Sequence, residues 1–427
     1  MNRGANSDSI PNDLIPEILS RLPAKSIARF RCVSKLWESI ICRQDFTKLF
    51  HTRSSSNPRL LIGVEQGGVW SFFSSPQPQN HYGKSSPVVA ADFHMKFSED
   101  RISYHHSYAS GLIYFSNRRI SNENDGEVRA ICNPSTGQYA ILPPDLTITF
   151  RNCGGLLGFD PVGRQFKVLV HKESVYQILT LGTENVRWRE IICPLTYGYR
   201  REHICINGIL YYIAVDPAMV GCFDVKSEKF KFVHLAPYYF GNSFTKLINY
   251  KGKLGVINFE NDYDGGFPLM LRMWVLEDVK KREWTKYAYT LRAENKVVNV
   301  SQNVSVIGVT ASGEIVLAMD KAYKPFYIFY FNPEKNTLQS VEIQGVREEE
   351  EWFYNHRVYY FVDHVEDLRF DVMKQRYAAT SISPPEQNTS TSSRGDHQVR
   401  TVANLAQDRH TFESVNKFDA LYLLEDD

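Results

Sequence analysis

The chain has 427 residues, of which 43% are hydrophobic and 23% charged, ordinary usage for a soluble globular protein. Its length exceeds a typical single core, so a small domain beside a large one is expected. A net charge of +1 argues against the whole chain being a nucleic-acid binder, and no apolar run approaches the ~18 residues of a membrane-spanning helix.

The first twenty residues carry no apolar stretch of a secretory signal. Residues 10–50 read as helical. Leu14, Ile15, Ile18, Leu19 and Leu22 recur on one face at helical spacing. With Asp13 as N-cap, Pro16 falls in the first turn, where backbone N–H groups have no internal partner. Pro23 then stops or redirects the chain, and a second short helix follows through Ile27 and Phe30. Ser34 caps a third, with Leu36, Trp37, Ile40 and Ile41 as its apolar stripe. Three short helices bury little surface alone, so such a unit needs a partner or a neighbouring domain. Ser54, Ser55, Ser56, Asn57 and Pro58 read as a turn-rich link to the next region.

From residue 58 to 380 the texture is that of strands, and 24 Tyr and 26 Phe suit a pleated surface. A loose sentence repeats. Gly111-Leu112-Ile113-Tyr114-Phe115 is followed by Ile131-Cys132-Asn133-Pro134-Ser135-Thr136-Gly137. Gly208-Ile209-Leu210-Tyr211-Tyr212 precedes Cys222-Phe223-Asp224, and Gly252-Lys253-Leu254 precedes Met273-Trp274-Val275. Gly313-Glu314-Ile315-Val316-Leu317 precedes Phe329-Tyr330-Phe331-Asn332-Pro333. A turn with Gly, a strand, a loop, an apolar strand and a polar turn after Asp or Asn recur at roughly 45–60 residues, the grammar of propeller blades. Six or seven blades are expected, with a pair of packed β-sandwiches as the structural alternative. Residues 384–427 are rich in Ser, Thr, Asn and Gln and read as a disordered tail. Phe412, Val415, Phe418, Leu421 and Leu424 could form a weak amphipathic helix there.

The string IPNDLIPEILSRLPAKSI at residues 10–27, continued by RFRCVSKLW at 29–37 and by Ile40-Ile41, resembles the F-box. The resemblance implies a segment, residues 8–50, that binds the Skp-type adaptor of a Skp–cullin–F-box ubiquitin ligase. By position in the motif, Pro11, Leu14, Ile18, Leu19, Leu22 and Pro23 would make the hydrophobic contact, with Val33 and Trp37 anchoring the third helix. The plainer reading is that these side chains only pack the helices on one another. The strings CNPSTGQYAILPP and LLGFDPVGRQFKVLV, with this order of domains, look like the plant F-box-associated domain, type 3. That similarity implies a β-propeller-like interaction domain over residues 58–380 and a plant source, and it carries over no ligand residues.

Residues 21–59 hold nine Lys or Arg against Glu38 and Asp45. Such a stripe can bind nucleic acid, steer an acidic protein or solvate a helix face; beside an F-box, the last two are expected. His105 and His106 are adjacent, and in a strand they point to opposite faces, so they cannot share a metal. Lone His203, His234 and His356 read as surface or satisfied core residues, and Glu348 to Glu351 as a solvated loop. No paired carboxylates, phosphate loop, nucleophile elbow or zinc-protease motif stands out. Cys32, Cys42, Cys132, Cys153, Cys193, Cys205 and Cys222 are scattered without C-x-x-C spacing, which reads as buried, reduced thiols in the cytoplasm or nucleus.

The expectation is a non-catalytic substrate-recognition subunit with no cofactor, metal, nucleic acid or membrane. Its partners would be a Skp-type adaptor, a cullin through that adaptor, and a protein client chosen by loops on one propeller rim. A propeller enzyme with an added protein-binding arm, or a scaffold unconnected with degradation, are the rivals.

Overall fold

The computed structural model describes residues 14–78, 87–98, 105–119, 127–143, 154–172, 175–183, 186–194, 199–214, 219–235, 245–260, 269–279, 281–291, 304–319, 325–346 and 357–368. Four helices come first: α1 (Leu14–Leu19), α2 (Ala24–Phe30), α3 (Lys35–Ile41) and α4 (Gln44–Ser56). Pro16 sits in the first turn of α1, where it removes no helical hydrogen bond. Pro23 is the N-cap residue of α2. Ser34 adopts an extended backbone, and its Oγ accepts the Trp37 N–H at 3.2 Å, capping α3 as the sequence predicts. Asp13, expected to cap α1, lies outside the described residues.

The expectation of three helices falls one short. In α4 the apolar signal is thin, with only Phe46 and Phe50 buried, and Ser54 to Ser56 read as linker although they form its last turn. The helix stops at Asn57, whose φ of −133° is non-helical. Pro58 disfavours the helical conformation for the residue before it.

The strands that follow form a six-bladed β-propeller. Blade 2 is a simple meander of His106–Ala109, Leu112–Arg119, Glu127–Asn133 and Gln138–Ile141. Blades 3, 4 and 5 repeat it, starting at Gly155, Tyr199 and Thr245. Blade 6 is built on Val304–Val309, Ile315–Met319, Tyr327–Asn332 and Thr337–Gln344. Blade 1 is assembled from both ends: Arg59–Gln66, Val69–Pro76 and Asp92–Ser98 are joined by Arg357–His364, with Arg59 opposite His364 and Ile62 opposite Tyr360. Between the second and third strands of blade 1 the chain adds Val88–Ala90, parallel to the outer strand of blade 6, with Val89 opposite Ile343. The sandwich alternative is excluded, and six is the lower of the two expected blade counts.

Why the sheets arrange so follows from burial. A sheet apolar on both faces must be covered twice, and each core cluster lies between neighbouring blades. Leu60 and Ile62 of blade 1 pack with Val316, Ala318 and Ile328 of blade 6. Leu61, on the opposite face of the same strand, packs with Trp70, Phe72, Ile113 and Phe115 toward blade 2. Likewise Ile315, Leu317 and Met319 face blade 5. This double coverage turns strands such as Ile315–Met319 into unbroken apolar runs rather than alternating ones.

The recurring sentence of the sequence maps onto turns. At Asn207-Gly208 and Lys251-Gly252 both central residues have positive φ (49° and 85°, 51° and 84°), the backbone of a tight hairpin whose second position suits glycine. At several other hairpins Asp or Asn supplies the turn. Asp224 Oδ1 accepts the N–H groups of Lys226 and Ser227, both at 2.9 Å, and Asn332 Oδ1 those of Glu334 and Lys335, both at 3.0 Å. In an antiparallel meander these two classes of turn share one end of the blades. Because Arg59 starts where His364 ends, the four helices attach at that same end.

The six described cysteines are free thiols, but Cys32 and Cys42 are exposed on the helical unit rather than buried. The short turns that join α2 to α3 and α3 to α4 place them outside the core. Cys153 and the expected tail 384–427 lie outside the described residues.

Candidate protein-docking surface

The helical unit has a compact core of its own. Ile15, Leu19, Ala24, Ile27, Ile40, Ile41, Phe46 and Phe50 pack together, joined by Leu368 from the segment that follows the last strand. Spacing in α1 sorts its apolar residues onto two faces: Ile15 and Leu19 turn inward, while Leu14 and Ile18, also four apart, stay 47% and 46% exposed. Val33, in the turn before α3, is 63% exposed, and Leu36 at the start of α3 is 51% exposed. Among the described residues twelve large apolar side chains stand exposed, and four of them fall within residues 14–36. That concentration is unlike the rest of the described surface, where such residues are scattered singly or in pairs along strands and turns. Apolar surface exposed on so small a unit is a candidate for cover by another molecule.

The outward face of α1 is held by charge. Arg53 of α4 reaches across to Glu17, donating to its carboxylate and, at 2.9 Å, to its backbone carbonyl, and it also donates to Ser20 Oγ. Arg21 donates to the same carboxylate at 3.0 Å. The Arg53 hydrogen bond, followed by that of Arg21, holds the Glu17 carboxyl below the usual range. On α3, Trp37 is half-buried with its ring edge-on to Phe30, centroids 5.0 Å apart.

The residues expected to touch an adaptor therefore separate. Leu14, Ile18, Val33 and Pro23 lie at the surface, and Leu22 and Trp37 are half-buried. Leu19 is only 3% exposed and belongs to the inner face, so it supports α1 from beneath rather than meeting solvent. Pro11 lies outside the described residues. Leu36, expected to be part of the inward stripe of α3, is instead exposed. Its position one residue before Trp37 and four before Ile40 was the available signal, because it sits at the edge of the apolar arc.

Much of the basic stripe is engaged internally. Arg53 pairs with Glu17, Arg31 with Glu38 at 3.5 Å, Arg43 with Asp45, and Arg59 with Asp92. Lys25 Nζ lies 5.2 Å over the Phe93 ring and 3.4 Å from its carbonyl oxygen, so it serves the contact between helices and blade 1. Arg29, Lys35 and Lys48 are exposed.

The joint between helices and propeller is polar and buried. The Glu366 carboxylate accepts the Ala24 N–H at 3.0 Å. Asp367 lies 3.6 Å from His51 Nδ1, and its backbone carbonyl accepts from Asn133 Nδ2 at 2.9 Å. His364 is fixed between Tyr108 Oη at 3.1 Å and Ser135 Oγ at 2.8 Å. His94 meets Ser74 Oγ at 2.8 Å. Burial pushes the Glu366 carboxyl up and the two imidazoles down, to about 4 for His94 and about 3 for His364.

Among the described residues no group of three or more His, Cys, Asp or Glu side chains could hold a metal ion, and no helix is long and apolar enough to cross a membrane. His106 packs its ring against Tyr359 and Trp70, with centroids 4.4 and 5.5 Å away. His356, the run Glu348 to Glu351 and the longer connections between blades, such as 236–244 and 292–303, lie outside the described residues. The expected client-selecting rim falls partly on those connections.

Comparison with known proteins matches two family descriptions along the chain. Residues 7–49 match the F-box domain, and residues 59–365 match the F-box associated beta propeller domain. The protein named F-box protein At1g31080, from Arabidopsis thaliana, is 59% identical over 430 residues, covering 100% of both chains. Putative F-box protein At1g31090 of the same plant is 58% identical over 402 residues, covering 94% of this chain and 98% of its own. F-box protein At3g57590, also from Arabidopsis thaliana, is 49% identical over 391 residues, covering 88% and 94%.

Proposed function

We propose, from the premise that this chain belongs to the F-box proteins carrying an F-box-associated β-propeller, that it is the substrate-recognition subunit of a Skp–cullin–F-box ubiquitin ligase. The helical unit docks the Skp-type adaptor, the cullin is reached through that adaptor, and the propeller holds a protein client. The observation that carries this reading is the exposed apolar set Leu14, Ile18, Val33 and Leu36 on a unit whose core is complete once Leu368 is included. None of the four belongs to the packed cluster of the helices, so the plainer reading of internal packing fits Ile15, Leu19 and Ile27 instead.

No bond is made or broken by this chain in such an assembly. Its contribution is to convert an encounter between client and charged conjugating enzyme into an event within one complex, which raises the effective concentration of the client's lysines. A propeller suits that task because each blade is braced by two neighbours. Its surface can then vary without loss of the core.

Replacing Leu14 and Ile18 together by Glu tests the reading. Co-purification of the Skp-type adaptor should fall by about a hundredfold or more, since two charges would have to be desolvated in an apolar contact. The circular dichroism and thermal transition of the propeller should not change. Adaptor capture equal to wild type would remove the reading.

A further inference from the structure

We infer that the propeller's exit, residues 365–368, is an integral part of the docking module, and that Glu366 and Leu368 are positioning residues for the adaptor-facing helices. The inference rests on the reading of those helices as the adaptor-docking unit, and it extends that unit well beyond the segment in which an F-box is found.

The helical core lacks one wall. Four short helices enclose Ile15, Leu19, Ile27, Ile40, Ile41, Phe46 and Phe50, and the cluster is completed by Leu368, which is 2% exposed. The first N–H of α2 belongs to the unpaired donors of a helix start and has no acceptor within the helix. Glu366 accepts it across a sequence separation of 342 residues. Neither contact comes from the F-box stretch, and both come from four consecutive residues that follow the last strand.

That segment is itself held in place. Asn133 grips the Asp367 carbonyl, and Tyr108 and Ser135 grip the His364 ring. A Cβ at Gly111 would stand 3.1 Å from the Val365 carbonyl oxygen, so the backbone of blade 2 lies close against it. At the other side Asp363 accepts the Ala311 N–H of blade 6 and exchanges hydrogen bonds with Gln77 of blade 1. Three blades thus fix the strand end that closes the helical core. Positioning passes from blades 1, 2 and 6, through 365–368, to the underside of α1 and α2, and so to the outward set of Leu14 and Ile18.

Hydrogen exchange on the full-length protein, followed by mass spectrometry and paired with titration of purified Skp-type adaptor, tests this. Leu368→Asp should speed exchange across residues 14–56 by about tenfold or more, leave blades 3–5 as protected as in wild type, and weaken adaptor binding about tenfold. Glu366→Ala should shift both readouts the same way by less. Glu366→Gln, whose amide oxygen still accepts the Ala24 N–H, should restore them toward wild type. Unchanged protection of 14–56 in Leu368→Asp, or a Gln variant no better than Ala, overturns the inference. If Leu368→Asp also opens blades 3–5, Leu368→Ala is judged by the same criteria. Failure of the wild-type chain to bind adaptor would defeat the adaptor reading alone, because the exchange comparison still decides whether 365–368 braces the helices.

Discussion

The propeller and the helical unit treat their apolar surface in opposite ways. In the ring every sheet is covered on both faces, so Leu60 and Leu61, adjacent in one strand, are both fully buried against different neighbours. In the helical unit, α1 turns Ile15 and Leu19 inward and leaves Leu14 and Ile18 in water. A closed ring satisfies itself, whereas four short helices have too little volume to do so and take one wall of their core from Leu368. The difference teaches where exposed apolar surface collects: on the element whose burial is incomplete rather than on the largest one.

The contrast can be broken most severely from the ring. Trp70 is fully buried, stacked on Tyr359 at 4.5 Å and Phe72 at 5.7 Å. Trp70→Ala should cost about 3–5 kcal/mol, read as a drop in the urea midpoint of the blades. A midpoint within error of wild type would mean the seam between blades 1 and 2 does not carry the stability assigned to it.

Acid should act next, and at the joint. The folded protein keeps His94 and His364 neutral, with values near 4 and 3 against 6.5 for a free imidazole. Between those values the unfolded chain binds more protons, so stability is full above pH 6.5 and is lost as pH falls below it. Between pH 7.5 and 5.5 the loss should be about 2–3 kcal/mol for the two together. Glu366 and Asp363, whose carboxyls burial raises, oppose this in part, because they gain stability as they protonate. His94→Gln should reduce the slope of stability against pH over that window, and an identical slope would sink the assignment to His94.

The smallest effect sharpens the comparison from the helical side. Ser34→Ala removes the cap of α3 and should cost about 1 kcal/mol. Exchange at Trp37 and Glu38 should rise while the blades are unaffected. Equal protection there would show that α3 is held by its contacts with α2 and α4 alone.

Local chemistry was legible before the structure. Ser34 as a cap, Pro23 as a boundary, glycine at 208 and 252, and Asp224 and Asn332 as turn formers act over three or four residues, so their neighbours in sequence reveal them. What escaped was set at long range or on a weak signal. The seam of Arg59 with His364, the parallel strand Val88–Ala90 and the number of blades depend on which distant strand completes which sheet. The fourth helix was hidden by its polar composition, because tertiary contacts of Phe46 and Phe50 rather than an apolar stripe hold it. On α1 the sequence showed which positions are apolar but not which of them face outward. Helical spacing groups Leu14, Ile15, Ile18 and Leu19 together, and only the position of α4 decides which pair looks out.

The seam in blade 1 also sets an order of events during synthesis. The three strands made first wait for their inner neighbour until the ribosome has translated Arg357–His364, and Leu368 follows four residues later. Until then the nascent ring is an open arc with a raw edge at each end, and the helices made at the outset lack their last wall. A truncated product therefore carries unsealed strands, the kind of surface that chaperones and proteases sort from finished molecules.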